Sequence, residues 1–343
     1  MKALRLYAPY DLRLVDEPIP EIGPREVLIR VKSIGLCASD VHWYREGRIG
    51  TTVMSEPLVL GHESAGEIVA IGKEVLNVAV GDRVAVEPAR HCGGCEYCRM
   101  GEFNVCPTVR FFGTPPTDGA LREYMAWPAD LVIPLPDSVS FDDAAMVEPL
   151  AVGLYAVELA DIKGGERIGI LGAGAIGLSV LQAARLAGAG DIYVSEPVPE
   201  RRELAKKMGA IEAFSPERVE AAISEITEHG LDIVFECAGE ADAVRQSAEL
   251  SRPLGKAMIV GIPDNDQYAF PASATRRKQL TAVFVRRSKG TTEHAIDLTA
   301  AGRVDVASFA THRFPIERAE KAFELAASKA DGVIRCVIDL TAD

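Results

Sequence analysis

Residues 91–106, HCGGCEYCRMGEFNVC, carry four of the chain's seven cysteines. Cys92, Cys95, Cys98 and Cys106 are spaced closely enough for four thiolates to wrap one tetrahedral zinc. A set of four thiolates leaves no position for a substrate, so it reads as structural. Two disulfides or an iron–sulfur cluster are the alternatives, and the strain of bridging near neighbours counts against the disulfides. Chemistry needs a metal with an open position, and its candidate ligands lie elsewhere. GLCASDVHWY supplies Cys37, Ser39 and His42, LGHESAG supplies His62 and Glu63, and MVEPLAVG supplies Glu148. A thiolate, an imidazole and a carboxylate from separate segments, with a water, would form an open catalytic zinc site. Spacing alone joins them weakly, because single His and Glu residues are usually surface or satisfied core groups.

The second chemical signal is a phosphate cradle. Gly172, Gly174 and Gly177 form GxGxxG within GAGAIG, with Ala175 and Ile176 in the same turn. Alone the motif is weak in a chain with 30 glycines. Here it follows the strand ERIGIL, opens the helix AIGLSVLQAARLAG, and precedes a strand, DIYVSE, that ends at Glu196. That is the context in which glycines let the backbone approach a pyrophosphate at a helix amino end. A carboxylate at Glu196 would accept the adenosine ribose hydroxyls and repel a 2′-phosphate, so NAD is the expected cofactor. Arg201 and Arg202 close behind could favour that phosphate, or lie over the adenine ring.

The elements that must position these residues fall into two sets. EVLIRVKSIG, SAGEIVAIG, GDRVAVEP and EYMAWPADLVIPLP read as short strands of a small barrel, rich in Val and Ile with Gly or Pro at their ends. Ser140 followed by Asp143 predicts a capped helical start, with Pro149 inside the run. Beyond it, strands alternate with helices: PERRELAKKMGA is a helix, LDIVFECAG a strand, ADAVRQSAEL a helix and KAMIVGI a strand. This predicts βαβ units and a doubly wound parallel sheet. After about residue 280 the pattern is mixed, with a helix in IERAEKAFELAASK and a last strand VIRCVIDL. The 343 residues exceed one typical core, and 48% apolar with 25% charged residues is an ordinary globular profile. A net charge of −13 argues against a nucleic-acid partner. The densest basic stretch, Arg276, Arg277 and Lys278 with Arg286, Arg287 and Lys289 beyond, reads mainly as a solvated face. No stretch is long and apolar enough for a signal peptide or a membrane span, so a cytoplasmic protein is expected, where clustered thiols favour metal over disulfides.

Taken in order, GLCASD, GHESAGEIVAIG, GDRV, the four-cysteine loop, GAGAIG and DIVFECAG resemble the zinc-dependent medium-chain dehydrogenases over essentially the whole chain. FFGTPPTDGALREY, VEPLAVGLYA and THRFPIERAEKAFE resemble their polyol (sorbitol) dehydrogenase branch. The resemblance implies a GroES-like β-rich catalytic domain at 1–148, completed by 281–343, and a Rossmann domain at 149–280 that binds NAD. It also implies a homotetramer with two zinc ions per subunit, acting on a small polyol or alcohol and on no membrane. Cys37, His62 and Glu63 would hold the catalytic zinc, with Glu148 holding its water or exchanging with it. The implied reaction oxidises a secondary hydroxyl to a ketone, with Ser39 and His42 relaying the proton and Arg286 on the substrate side. Simple alcohol dehydrogenases place a second thiolate near Glu148. Here Cys237 and Cys336 lie in predicted core strands. Trp43 and Arg287 depart from the branch near the expected substrate pocket. Threonine-type or simple secondary-alcohol oxidation is the enzymatic alternative, and zinc-free quinone reduction a further one. A non-catalytic NAD-binding protein that retains the fold is the alternative outside enzymes.

Overall fold

The computed structural model describes residues 1–341. The chain forms two compact units: Met1–Glu148 with the chain from Thr292 onward, and Pro149–Thr291.

In the first unit the strand Glu26–Gly35 alternates as its sequence requires, burying Val27, Ile29 and Val31 while Arg30 faces out. It pairs along its length with Glu63–Ile71, which pairs in turn with Arg83–Val86. Its other edge is shared: Tyr124–Pro128 takes the first half, and Arg335–Asp339 takes Ser33–Gly35. The carboxy-terminal strand therefore returns to the middle of a sheet begun near the amino terminus, and four of its five residues are buried. The helix Ala38–Glu46 follows the central strand directly. Tyr44 anchors it, its ring lying 5.0 Å from Phe323 and 5.1 Å from Tyr10. Trp43 is 1% exposed and packs within the same core.

The predicted helical run from Ser140 is two helices. Ser140 Oγ accepts from the Asp143 N–H at 3.1 Å and caps Phe141–Ala145. A new helix, Val147–Ala160, then begins with Pro149 at its third residue. There proline interrupts nothing, because the first four helical N–H groups have no partner within the helix.

The second unit holds six parallel strands in the order Glu212–Phe214, Ile192–Ser195, Ile168–Leu171, Leu231–Glu236, Ser251–Ile259, Thr281–Phe284. Ile168–Leu171 and Ile192–Ser195 are buried throughout, as strands covered on both faces must be. Two strands escape the sequence pattern: Glu212–Phe214 is three residues long, and Thr281–Phe284 lies at an exposed edge. The second corrects a boundary, since the parallel sheet continues past 280 and this unit runs to Thr291. Lys278 departs from the solvated-face reading. Its Nζ donates to the Ala248, Glu249 and Ser251 carbonyls, closing the end of the helix Ala241–Leu250.

Candidate active site and metal centres

Cys37 stands at the amino end of the helix Ala38–Glu46, while His62 and Glu63 sit where the neighbouring strand begins. Three adjacent strands converge here, because Gly35 is paired with both Glu63 and Val337. Gly35 leaves room for the Glu63 carboxylate, which a Cβ there would have to displace together with the end of Met146. One ligand atom from each of Cys37, His62 and Glu63 lies within 4.8 Å of the others.

Two residues that the spacing did not single out hold this group. Asp40, fully buried, accepts the Cys37 N–H and the Gly61 N–H, each at 3.0 Å, and so ties together the two segments that carry Cys37 and His62. Its Oδ1 also lies 3.5 Å from His62 Nδ1, the placement that fixes the ring of a metal-binding histidine. The signal was present in CASD, where an acidic residue three places after a helix start reads as a cap. Arg335, 7% exposed, reaches Glu63 with Nε 3.0 Å from Oε2 and a terminal nitrogen 3.0 Å from Oε1. That nitrogen is also 3.7 Å from Cys37 Sγ. No local pattern pointed to it, because its partner is 272 residues away.

Burial opposes a charge on His62, yet Asp40 and Cys37 outweigh it and hold the imidazole well above its usual pKa. The same anionic surroundings would attract a metal cation. Burial likewise opposes the Arg335 charge, and Glu63 and Cys37 overcome it. Glu148 stands outside the close group. Burial pushes its carboxyl up to about 7, with Glu63 and Glu87 raising it and His62 and Arg335 lowering it. The donor set therefore fits a zinc ion: one thiolate, one imidazole, and a carboxylate whose four lone-pair sites are not exhausted by the arginine. Cys336 is fully buried, and burial raises its thiol to about 12. Cys237 lies just past its strand and is also held protonated by burial. Ser39 and His42 occupy the first two turns of the helix that starts at Cys37, both half-buried, with His42 Nδ1 4.0 Å from Glu46. Arg286 lies in the other unit, beyond the edge strand.

The four-cysteine loop has the shape its spacing predicts. Cys92 Sγ and Cys98 Sγ are 3.9 Å apart, as are Cys95 Sγ and Cys106 Sγ. A disulfide needs about 2.0 Å. Thiolates about 2.3 Å from one zinc stand about 3.8 Å apart along a tetrahedral edge, so the loop fits that ion. Backbone N–H groups of Gly94 and Cys95 lower the Cys92 thiol to about 6, favouring the thiolate that a metal requires.

The glycine turn divides its labour among three residues. Gly172 has a φ of +102°. Gly177 must lack a side chain, since a Cβ would lie 1.8 Å from the Gly172 carbonyl. Around Gly174 there is nothing within 4 Å, leaving room for a ligand at the amino end of the helix Ala175–Leu186. Ala175 and Ile176 form its first turn. Glu196, 3% exposed, accepts the Ala173 N–H at 2.7 Å and the Val198 N–H at 3.0 Å, binding the second strand to the turn. Arg201 lies 3.9 Å from its carboxylate. Arg202 donates to the Glu196 and Pro197 carbonyls, which holds it to its own loop.

Residues 23–137 match the alcohol dehydrogenase GroES-like domain, and residues 175–301 match the zinc-binding dehydrogenase family. Sorbitol dehydrogenase of Bacillus subtilis is 38% identical over 330 residues, covering 95% of this chain and 93% of that protein. This chain belongs to the zinc-dependent medium-chain dehydrogenases. Its fold is accordingly a GroES-like domain with a Rossmann domain, and it is an NAD(P)-dependent oxidoreductase of a small molecule. Two solved dehydrogenases of this kind span nearly all of it. A 2R,3R-butanediol dehydrogenase from Bacillus subtilis superposes with a TM-score of 0.89 at 31% identity, covering 98% of this chain and 99% of its own. A zinc-binding dehydrogenase from Sinorhizobium meliloti, bound to NADP, superposes with a TM-score of 0.89 at 30% identity, covering 98% of each chain. Among the described residues no helix of this dehydrogenase is long and apolar enough to cross a membrane.

Proposed function

We propose that this dehydrogenase oxidises a secondary hydroxyl of a polyol, of the sorbitol or xylitol kind, to a ketone with NAD as hydride acceptor. The observation that carries the reading is the close group of one thiolate, one imidazole and one carboxylate, with Arg335 and Glu148 bringing further charge to it. Identity to a sorbitol dehydrogenase supports it. Cys37, His62 and Glu63 would hold a zinc that polarises the substrate oxygen as a Lewis acid, and the nicotinamide would take the hydride. Asp40 fixes the His62 ring, and Arg335 neutralises Glu63. Ser39 takes the hydroxyl proton and His42 passes it to solvent, both presented by one helix. Glu148 orients a water or substrate hydroxyl. Arg286 serves the substrate side. Cys92, Cys95, Cys98 and Cys106 would hold a second, structural zinc. Glu196 selects NAD, with Arg201 at its side. The enzyme acts as a cytoplasmic homotetramer, the assembly that the resemblance to the polyol dehydrogenases implies.

The test is NAD reduction across sorbitol, xylitol, 2,3-butanediol, threonine and 2-propanol. A pocket built to bond several hydroxyls leaves its polar groups unpaired around an analogue that lacks them, so polyols should exceed 2-propanol in kcat/KM by about 100-fold or more. A larger kcat/KM for threonine or 2-propanol would overturn the substrate assignment. Likeness to the butanediol dehydrogenase favours a second reading, a short vicinal diol, and the same screen separates the two.

A further inference from the structure

We propose that Glu236 is a positioning residue for the nicotinamide half of the dinucleotide; this rests on the reading of the Pro149–Thr291 unit as the cofactor-binding one. In that unit the strand order reverses between Ile168–Leu171 and Leu231–Glu236. Ligands of such sheets lie beyond the carboxyl ends of the strands at that point, with one mononucleotide half on each side. A buried glutamate closes the strand on either flank of Ile168–Leu171. Glu196 is on the adenosine side, and Glu236, with no exposed surface, is on the other.

Glu236 Oε1 accepts the Ala238 N–H at 2.8 Å and the Gly239 N–H at 2.7 Å. Its main-chain carbonyl accepts the Val260 and Gly261 N–H groups at 2.9 and 3.0 Å. One residue thus gathers two loops at the strand ends. The first of them lies against the glycine turn. The Cys237 N–H donates to the Leu171 carbonyl at 2.8 Å, and a Cβ on Gly172 would stand 3.2 Å from Ala238 N. Because a trans peptide sets its carbonyl opposite its N–H, drawing the N–H groups of residues 238 and 239 inward turns the Cys237 and Ala238 carbonyls outward. Those carbonyls are the acceptors offered to the ribose hydroxyls of the nicotinamide half. The second carboxylate oxygen, Oε2, is buried without a hydrogen bond, and Gly261 leaves it room, since a Cβ there would fall 2.6 Å away. Both bonds to the loop of residues 238 and 239 go to Oε1, and a glutamine that keeps its one oxygen there retains them.

The experiment compares NADH with ADP, which carries the adenosine and pyrophosphate but no nicotinamide riboside. Binding of NADH is read by fluorescence and that of ADP by calorimetry, on the intact enzyme and on Glu236→Ala, Glu236→Gln and Glu236→Asp. Loss of two oriented acceptors should weaken NADH about tenfold in Glu236→Ala while ADP changes less than about twofold. Glu236→Gln should stay within about threefold of wild type for both. Glu236→Asp withdraws the oxygen by one methylene and should reproduce the selective loss, which decides the matter if the alanine chain does not fold. Equal weakening of ADP and NADH, unchanged NADH binding in the alanine and aspartate variants, or a glutamine variant as impaired as alanine would overturn the proposal. A wild-type enzyme that binds neither nucleotide would instead overturn the cofactor reading beneath it.

Discussion

Asp40 and Arg335 do opposite electrostatic work within one small volume. Asp40 pulls two backbone segments together and draws positive charge to His62; Arg335 sets a positive charge against the buried Glu63 side chain. Outer partners of metal-binding histidines typically contribute about 10–100-fold in metal affinity, so Asp40→Asn should weaken zinc retention by about that factor, measured by competition with a chelator. Removing one member of a buried ion pair leaves its partner uncompensated. Arg335→Met should therefore cost about 3–5 kcal/mol in urea unfolding, and Glu63→Gln added to it should recover part of the loss. Cys37→Ser should abolish turnover while the melting temperature stays near wild type. Retained activity would show that the proposed ligand group is not the reacting centre.

At the level of elements, the four-cysteine loop and the glycine turn make contrasting demands. Residues 91–100 bury no side chain fully, so this stretch has no core of its own and a metal would be its main crosslink. Cys95→Ser should lower bound zinc from two ions to one and expose residues 92–106 to proteolysis, with the melting temperature falling by several degrees. In the glycine turn, crowding and openness are separable. Gly177→Ala forces a Cβ onto the Gly172 carbonyl and should cost about 1–3 kcal/mol in stability. Gly174→Ala meets nothing within 4 Å, so it should change stability by less than about 1 kcal/mol yet raise the KM for NAD about tenfold or more, as a methyl group intrudes where the pyrophosphate lies.

For the molecule as a whole, cofactor choice depends on which charge meets the adenosine ribose. Glu196 is anchored by two backbone N–H groups, and Arg202 is drawn to nearby carbonyls, so carboxylate repulsion of a 2′-phosphate should dominate. Wild type should prefer NAD over NADP by about 100-fold in kcat/KM, and Glu196→Ser should narrow that gap. Comparable efficiency with both cofactors would mean that Arg201, 3.9 Å from the carboxylate, prevails instead. Light scattering that returned the mass of a single 36.8 kDa chain would exclude the tetramer.

What was legible in the sequence was whatever is decided over short distances along the chain. Four cysteines between residues 92 and 106 must lie near one another, and a GxGxxG between a strand and a helix must make a tight turn, so both could be read without a structure. The alternation of Val27, Ile29 and Val31 and the βαβ rhythm likewise record local periodicity. Other features depended on pairing between distant strands. Arg335 reaches Glu63 because the last strand returns beside Gly35, a register no local pattern encodes. Trp43 proved to be core because its helix packs through Tyr44 on Phe323, a residue from the far end of the chain. The edge strand Thr281–Phe284 was missed because its residues face solvent and leave no buried pattern to read. Asp40 is local in its bond to the Cys37 N–H and tertiary in its bond to Gly61, 21 residues on, whereas the Glu236 carboxylate bonds N–H groups two and three residues ahead and only the place of that loop against the glycine turn is decided by the fold.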